Sequence, residues 1–480
     1  MQHTNGLMPR SSSPECLLQL LQRFLKHPNQ VNQIHSRLIS NGHLLHSPNP
    51  SSASKWMTTL LYNTLIRAHL GFSQAHKPFL LFTHMLAHQA PPNSHTFPPL
   101  IKAASASSSP NLGAPLHTQV VKRGVLHDPF IQTSFVSFYA RFGILCDARK
   151  VFEEIAEPCV VAYNVMIDGF GKNGDMGSAV SLFQSMPKKD VVSWTSVING
   201  FGRNGSFSEG IQFFKMMVRE DLMGCFVKPN EATYVTVLSS CANLDGWGSL
   251  YWGKQIHGYA IRKEIELTAF LGTALIDLYG KMGYVRSAAN VFKKMVVTEV
   301  CTWNAMISAL SLNGKEREAL DLFEKMKRER LQPNAVTFVA VLTACARGKL
   351  VNFGLELFRS MSNDFGVEPI MEHYGCVVDL LGRAGLFLEA TELIKSMPFE
   401  PDASVLGALL GSCKIHGTAE LGNKVGQKLL ELQPQHCGRY VVLSSINAGT
   451  ERWDRAAAVR QAMVHAGIRK IPAYSVIDVN

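Results

Sequence analysis

A chain of 480 residues with 46% hydrophobic residues has the composition of a folded protein rather than a disordered one. No segment approaches the ~18 uninterrupted apolar residues of a membrane span, so no membrane partner is expected. The net charge of +10 is uneven: residues 1–127 hold ten Lys/Arg against Glu15 alone, and the next acid is Asp128. The ten cysteines include no C-x-x-C pair and follow no secretory signal, which excludes the usual signatures of a disulfide framework.

In chain order, Met1–Ser13 carries Arg10, three serines and no acid, as an organelle-targeting leader does. The acid-free zone runs far past any leader, which equally fits attraction to a polyanion. Residues 14–46 read as a worn helical hairpin acting as a cap, with Leu17–Leu25 as its first helix. Ser47–Ser54 reads as a linker, so that 14–58 forms a degenerate repeat and linker. From residue 59 the chain repeats itself, at 59–93, 94–128, 129–159, 160–190, 191–230, 231–268, 269–299, 300–334, 335–370 and 371–402. Two further repeat-like units follow at 403–436 and 437–470. Lengths cycle among about 35, 35 and 31 residues, with extra loops expected at Leu222–Val227 and near Trp247.

Each unit reads as two helices. In 300–334, Trp303, Met306, Ile307 and Leu310 lie at helical spacing within Thr302–Leu312, and Asn313-Gly314 ends that helix. Ala319, Leu322, Phe323 and Met326 stripe a second helix over Lys315–Arg330, stopped by Pro333. The equivalent glycines are Gly143, Gly174, Gly205, Gly283, Gly314, Gly385 and Gly417. Hairpins that can bury their faces only against neighbours must stack. The expected fold is therefore all-α, a right-handed α-solenoid superhelix of helix-turn-helix repeats. Cys241, Cys345 and Cys413 share one register position and are expected to be small buried packing residues.

Phosphate-binding, dinucleotide, nucleophile-elbow and zinc-deaminase patterns are all missing, so no catalytic residue, cofactor or metal ligand is assigned. What varies at fixed register is polar. The residue after the aromatic is Asn63, Thr133, Asn164, Thr195, Thr273 or Asn304, and the closing residue is Asn93, Asp128, Asp190, Asn230, Asn334 or Asp402. Asn and Thr are mediocre inside helices, so their recurrence needs a cause. Helix capping by the closing residue and hydrogen bonds between repeats would supply one. The other is that each pair reads one nucleobase, as helical-repeat RNA readers do with two or three side chains per base. The second residue of many units, Phe130, Val161, Val192, Phe270 or Val336, would then wedge against base faces, although His95 and Glu372 depart from this pattern.

Val191-Val192-Ser193-Trp194-Thr195-Ser196-Val197-Ile198-Asn199-Gly200-Phe201 resembles the opening of a plant pentatricopeptide repeat, and the length cycle resembles the subclass with P-, L- and S-type units. Gly407-Ala408-Leu409-Leu410-Gly411-Ser412-Cys413-Lys414-Ile415-His416-Gly417 resembles the first unit of that subclass's E extension. Tyr440-Val441-Val442-Leu443-Ser444, Arg452-Trp453-Asp454 and Arg469-Lys470-Ile471-Pro472 resemble the second, which sets 403–480 apart from the ten repeats at 59–402.

The resemblance implies binding of single-stranded organellar RNA, usually to specify a cytidine for C-to-U editing. Because the zinc signature of the family's deaminase-like domain is missing, the deaminase would come from a partner protein. The compartment would be the mitochondrion, with the chloroplast as alternative. By the family's pairing logic Asn164/Asp190 would favour U, Thr195/Asn230 would favour A, and Asn63/Asn93 and Asn304/Asn334 would favour C. Two other readings stay open: an organellar RNA stability or splicing factor, and a protein-binding helical scaffold.

Overall fold

The computed structural model describes residues 13–45, 52–72, 76–107, 109–222, 227–246 and 248–470. The expected leader therefore lies almost wholly outside the described residues, as do most of the loop at Leu222–Val227, Trp247 and the end of the Arg469–Pro472 motif. Among the described residues there are twenty-six α-helices, one short 3-10 turn and no strand. The helices alternate as the repeats require. First helices include Phe97–Ala106, Pro129–Arg141, Val160–Lys172, Val191–Arg203, Ala269–Lys281, Val300–Leu312, Ala335–Gly348 and Met371–Arg383, each followed by a second helix of its own unit. This is the stacked hairpin architecture of an α-solenoid.

The chain divides into two compact units, 1–237 and 238–480. In the first, one apolar core runs from Leu17 to Met217. In both, the same contact joins consecutive repeats: a second-helix phenylalanine packs edge-to-face on the aromatic that opens the next first helix. Phe152 meets Tyr163, Phe183 meets Trp194 and Phe214 meets Tyr234 in one unit, and Phe292 meets Trp303 and Phe358 meets Tyr374 in the other. Trp194 and Trp303 are almost wholly buried. Such rings dominate burial energetics, and the tilted geometry adds a quadrupolar gain.

First helices also touch one another directly, where small residues permit it. A Cβ on Gly169 would lie 2.6 Å from that of Ala140, and one on Gly280 would lie 2.5 Å from that of Ala309. The seven predicted turn glycines all lie in the left-handed region, at φ 85° for Gly174 and 71° for Gly314, whereas after Ala335–Gly348 Lys349 takes that conformation at φ 53°. Where an asparagine precedes the glycine, it fastens the preceding repeat. Asn173 Nδ2 donates to the carbonyls of Ala140 and Gly169, both at 2.8 Å. Asn204 does the same to Gly171 and Gly200, and Asn313 to Gly280 and Ala309. Orphan carbonyls at helix ends are thereby satisfied across the repeat boundary.

Some boundaries differ from expectation. Helix Ser52–Leu70 takes in Ser52–Ser54, so the expected linker is shorter; nothing after Pro50 stops a helix. Val300–Leu312 begins two residues earlier than the apolar spacing indicates, because Thr302 Oγ1 accepts from the Glu299 backbone N–H at 3.4 Å and caps the helix start there. The following helix, Glu316–Arg328, is shorter at both ends than expected. The N-terminal hairpin consists of Pro14–Arg23 and Pro28–Ser40, with Leu17, Leu21, Val31, Ile34 and Leu38 buried. Behind it His69 is 1% exposed, and neither ring nitrogen has a hydrogen-bond partner. Burial, then Lys77 and His35, bring its pKa down to about 4. Cys241, Cys345 and Cys413 are fully buried, and burial pushes the thiols of Cys241 and Cys345 up to about 12.

Candidate nucleic-acid interface

The polar residues predicted from register fall into four groups. The structure joins Asn63 to Asn93, Asn164 to Asp190 and Asn304 to Asn334, each through Nδ2 donating to Oδ1, at 3.0, 3.1 and 3.1 Å. Thr195 reaches Asn230 through an intermediary: its hydroxyl lies 2.8 Å from that of Thr233, which donates to Asn230 Oδ1 at 2.9 Å. Thr133 turns back to the Pro129 carbonyl, and Thr273 bonds the Ala269 carbonyl and Thr302. Asp128 and Asp402 cap the helices that follow them, while Pro98 and Gly375 occupy the reading place of their own units.

Helix capping and pairing with the register asparagine are therefore compatible at the closing position. Asp190 accepts from the Ser193 backbone at 2.8 Å and Asn334 from that of Thr337 at 3.1 Å, while each also holds a reading asparagine. Burial alone would raise the Asp190 carboxyl. Bonds from the Ser193 backbone and hydroxyl, the Asn164 amide and the Val192 backbone outweigh it and hold the pKa below the usual value.

The second-register apolar residues are exposed although their neighbours are packed: Phe130 at 78%, Phe270 and Val161 at 60%, Val336 at 59% and Val192 at 50%. Each lies one helical turn from a reading position. Beside Phe130 and Thr133 a groove of ≈ 780 Å³ opens, lined also by Arg67, His95, Lys102 and Arg141, with Asp128 the one carboxylate in its wall. Lys122 and Arg123 line a different cavity with Leu86 and Gln89, whereas Arg67 and Lys102 line this groove.

Two features escape a reading by register alone. Basic residues recur in the last turn of first helices: Arg141, Lys172, Arg203, Lys281, Arg347 and Arg383. Lys172, Lys281 and Arg383 pair with Asp168, Asp277 and Asp379 one turn back. The second feature is a fully buried hydroxyl at the third position, Thr96, Ser193, Thr233, Thr302 and Thr337. A capping signature ending in Ser or Thr instead of Glu marks it in the sequence. Among the described residues no cluster of His, Cys, Asp and Glu is placed to hold a metal ion, and no helix is long and apolar enough to cross a membrane.

Stacked hairpins carrying paired polar residues beside exposed apolar ones define a helical-repeat protein with a modular surface. Models of the PPR repeat family match residues 158–191, 189–243 and 298–347, models of the PPR repeat match 273–297, 336–364 and 372–400, and the E motif matches 416–478. A pentatricopeptide repeat-containing protein of Arabidopsis thaliana is 53% identical over 467 residues, covering 97% of this chain and 98% of the relative. A second from Arabidopsis thaliana is 40% identical over 463 residues, covering 93% and 89%. Among solved structures, PPR10 from maize aligns at 16% identity and a TM-score of 0.48, covering 96% of this chain and 75% of that one. The chain belongs to the pentatricopeptide repeat family and carries its E motif.

Proposed function

We propose that this protein is a sequence-specific single-stranded RNA-binding factor of a plant organelle. It specifies a cytidine for C-to-U editing and borrows the deaminase from a partner protein. One observation carries the reading: polar pairs are held together at one register of the repeat, while the register one turn away is exposed and apolar in several units, Val161 beside Asn164 and Val192 beside Thr195 among them. Paired donors and acceptors suit base edges, exposed apolar side chains suit base faces, and Arg67, Lys102 and Arg141 suit the phosphates between them. The E motif supports the editing role, since that extension marks the editing subclass the sequence resembles. The mitochondrion is the proposed compartment and the chloroplast its alternative.

The address takes one nucleotide per repeat from the N- to the C-terminus: C, two unspecified, U, A, two unspecified, C, two unspecified. Selection of bound RNA from a random pool should enrich U and A in adjacent positions opposite 160–190 and 191–230. A pool with no preference there sinks the assignment. Sequencing organellar RNA from a knockout should reveal one or a few lost C-to-U sites. Changed transcript ends or retained introns with all edits intact would instead select a stability or splicing role.

A further inference from the structure

The reading asparagines are not held alike, and the difference traces to the buried hydroxyl three residues into the following unit. Asn304 is fixed at both ends of its amide: Nδ2 donates to Asn334 Oδ1, and Oδ1 accepts from Thr337 Oγ1 at 2.7 Å. Asn63 is fixed identically, by Asn93 and by Thr96 Oγ1, again at 2.7 Å. Turning either amide over would break both bonds and set like atoms against each other. Asn164 has only the first bond. Its Oδ1 is buried without a partner, because the corresponding hydroxyl, Ser193 Oγ, donates to Asp190 Oδ1 at 2.8 Å instead.

The cause is the acceptor on offer. A carboxylate draws a hydroxyl proton more strongly than an amide carbonyl does. With Asp190 closing the unit, the hydroxyl of Ser193 turns to it; where Asn closes a unit that also reads with Asn, the hydroxyl lies nearer the reading amide (2.7 Å at Asn63 and Asn304) than the closing one (3.2 Å at Asn93, 3.1 Å at Asn334). A buried carbonyl left without a donor is costly, so Asn164 gains by rotating its amide to meet a donor on a ligand. The terminal amide torsion is soft enough to allow this.

The geometry points to a relay in which the buried hydroxyl of the next unit determines what the reading asparagine offers a base. A locked amide, as at Asn63 and Asn304, has one N–H to spare and suits a base whose ring nitrogen accepts, as N3 of cytosine does. A half-held amide, as at Asn164, offers an unfilled carbonyl as well and suits the N3–H of uracil. Thr96 and Thr337 are therefore positioning residues that act on specificity without touching RNA. This inference rests on the RNA-reading function proposed above.

The test measures binding of the full chain to synthetic RNAs that differ only by C or U opposite unit 300–334 or opposite unit 160–190. Wild type, Thr337→Val and Thr337→Ser are compared, with thermal melts confirming that each is folded. The expected result is that Thr337→Val shifts the C:U preference at 300–334 toward U by about fivefold, the scale of one net hydrogen bond. Thr337→Ser keeps the wild-type ratio, and the ratio at 160–190 does not move. An unchanged ratio in folded Thr337→Val, where wild type does prefer C, overturns the relay and leaves the base-reading function standing. Absence of any preference in wild type overturns both. Thr96→Val, read opposite unit 59–93, makes the same test should Thr337→Val fail to fold.

Discussion

Residues 300–348 and 403–470 are built by the same packing and present different faces. In the repeats, Trp303 and Phe338 are buried at the opening of their first helices; in the tail, Leu406 and Tyr440 take that place. Cys345 and Cys413 are equivalent and equally buried, and Gly314 and Gly417 make the same left-handed turn. The reading position, however, is Gly407 in the tail, and Arg439 lies across it. A Cβ on Gly407 would sit 2.6 Å from Arg439 Nη1, and Nη2 donates to the Ala403 carbonyl at 3.3 Å. The tail's own asparagine pair, Asn423 and Asn447, bonds reciprocally at 3.0 and 2.7 Å. The residues that stack the hairpins are thus separable from those proposed to read bases, and the tail keeps the first set without the second.

The largest effect should come from attacking what the two regions share. Trp303→Ala should cost roughly 3–5 kcal/mol locally, and Leu406→Ala about 2–5 kcal/mol, read as loss of hydrogen-exchange protection in the affected hairpins. Acid should next loosen the beginning of the chain. The folded pKa of His69, about 4, lies below its ordinary 6.5, so the stability present at neutral pH is lost as pH falls through that window. The loss should reach up to roughly 3 kcal/mol, and His69→Phe should flatten the pH dependence of melting between those limits. Third, Phe130→Ala should weaken RNA binding by about 1–3 kcal/mol, whereas Trp453→Ala, also exposed but in the tail, should leave it unchanged. Smallest, Asn334→Ala should cost about 1 kcal/mol as a lost helix cap and alter base preference, whereas Asn423→Ala, in the tail's own asparagine pair, should leave base preference unchanged. Equal effects of both on base choice would erase the distinction between repeats and tail.

Much of this was readable in the sequence because solenoid packing is periodic. Trp194 and Trp303 recur where a buried ring is needed, and Gly174, Gly205 and Gly314 where the backbone turns left-handed. The exposure of Phe130 and Phe270 followed from their register, one step off the buried face. Two matters were not readable. Helix starts such as Ser52 depend on the lack of a stop signal, which periodicity does not report. The direction of a hydroxyl proton at Ser193 or Thr337 depends on competition between a carboxylate and an amide in three dimensions. In the sequence both look like an ordinary cap.

The asparagines that fasten one repeat to the next, Asn173, Asn204 and Asn313, each precede a glycine. Asn-Gly is the dipeptide in which the following backbone nitrogen most readily attacks the side-chain amide carbon, expelling ammonia and leaving a carboxylate after hydrolysis. In the folded chain the Nδ2 of each is engaged by two carbonyl oxygens, which holds the side chain away from ring closure. Once unfolded by heat, that protection ends. A deamidated residue would return as a carboxylate facing two carbonyls, repelling where it once bonded. The molecule thus carries a chemical clock that starts on unfolding, and prolonged heating should become progressively irreversible as these three sites age.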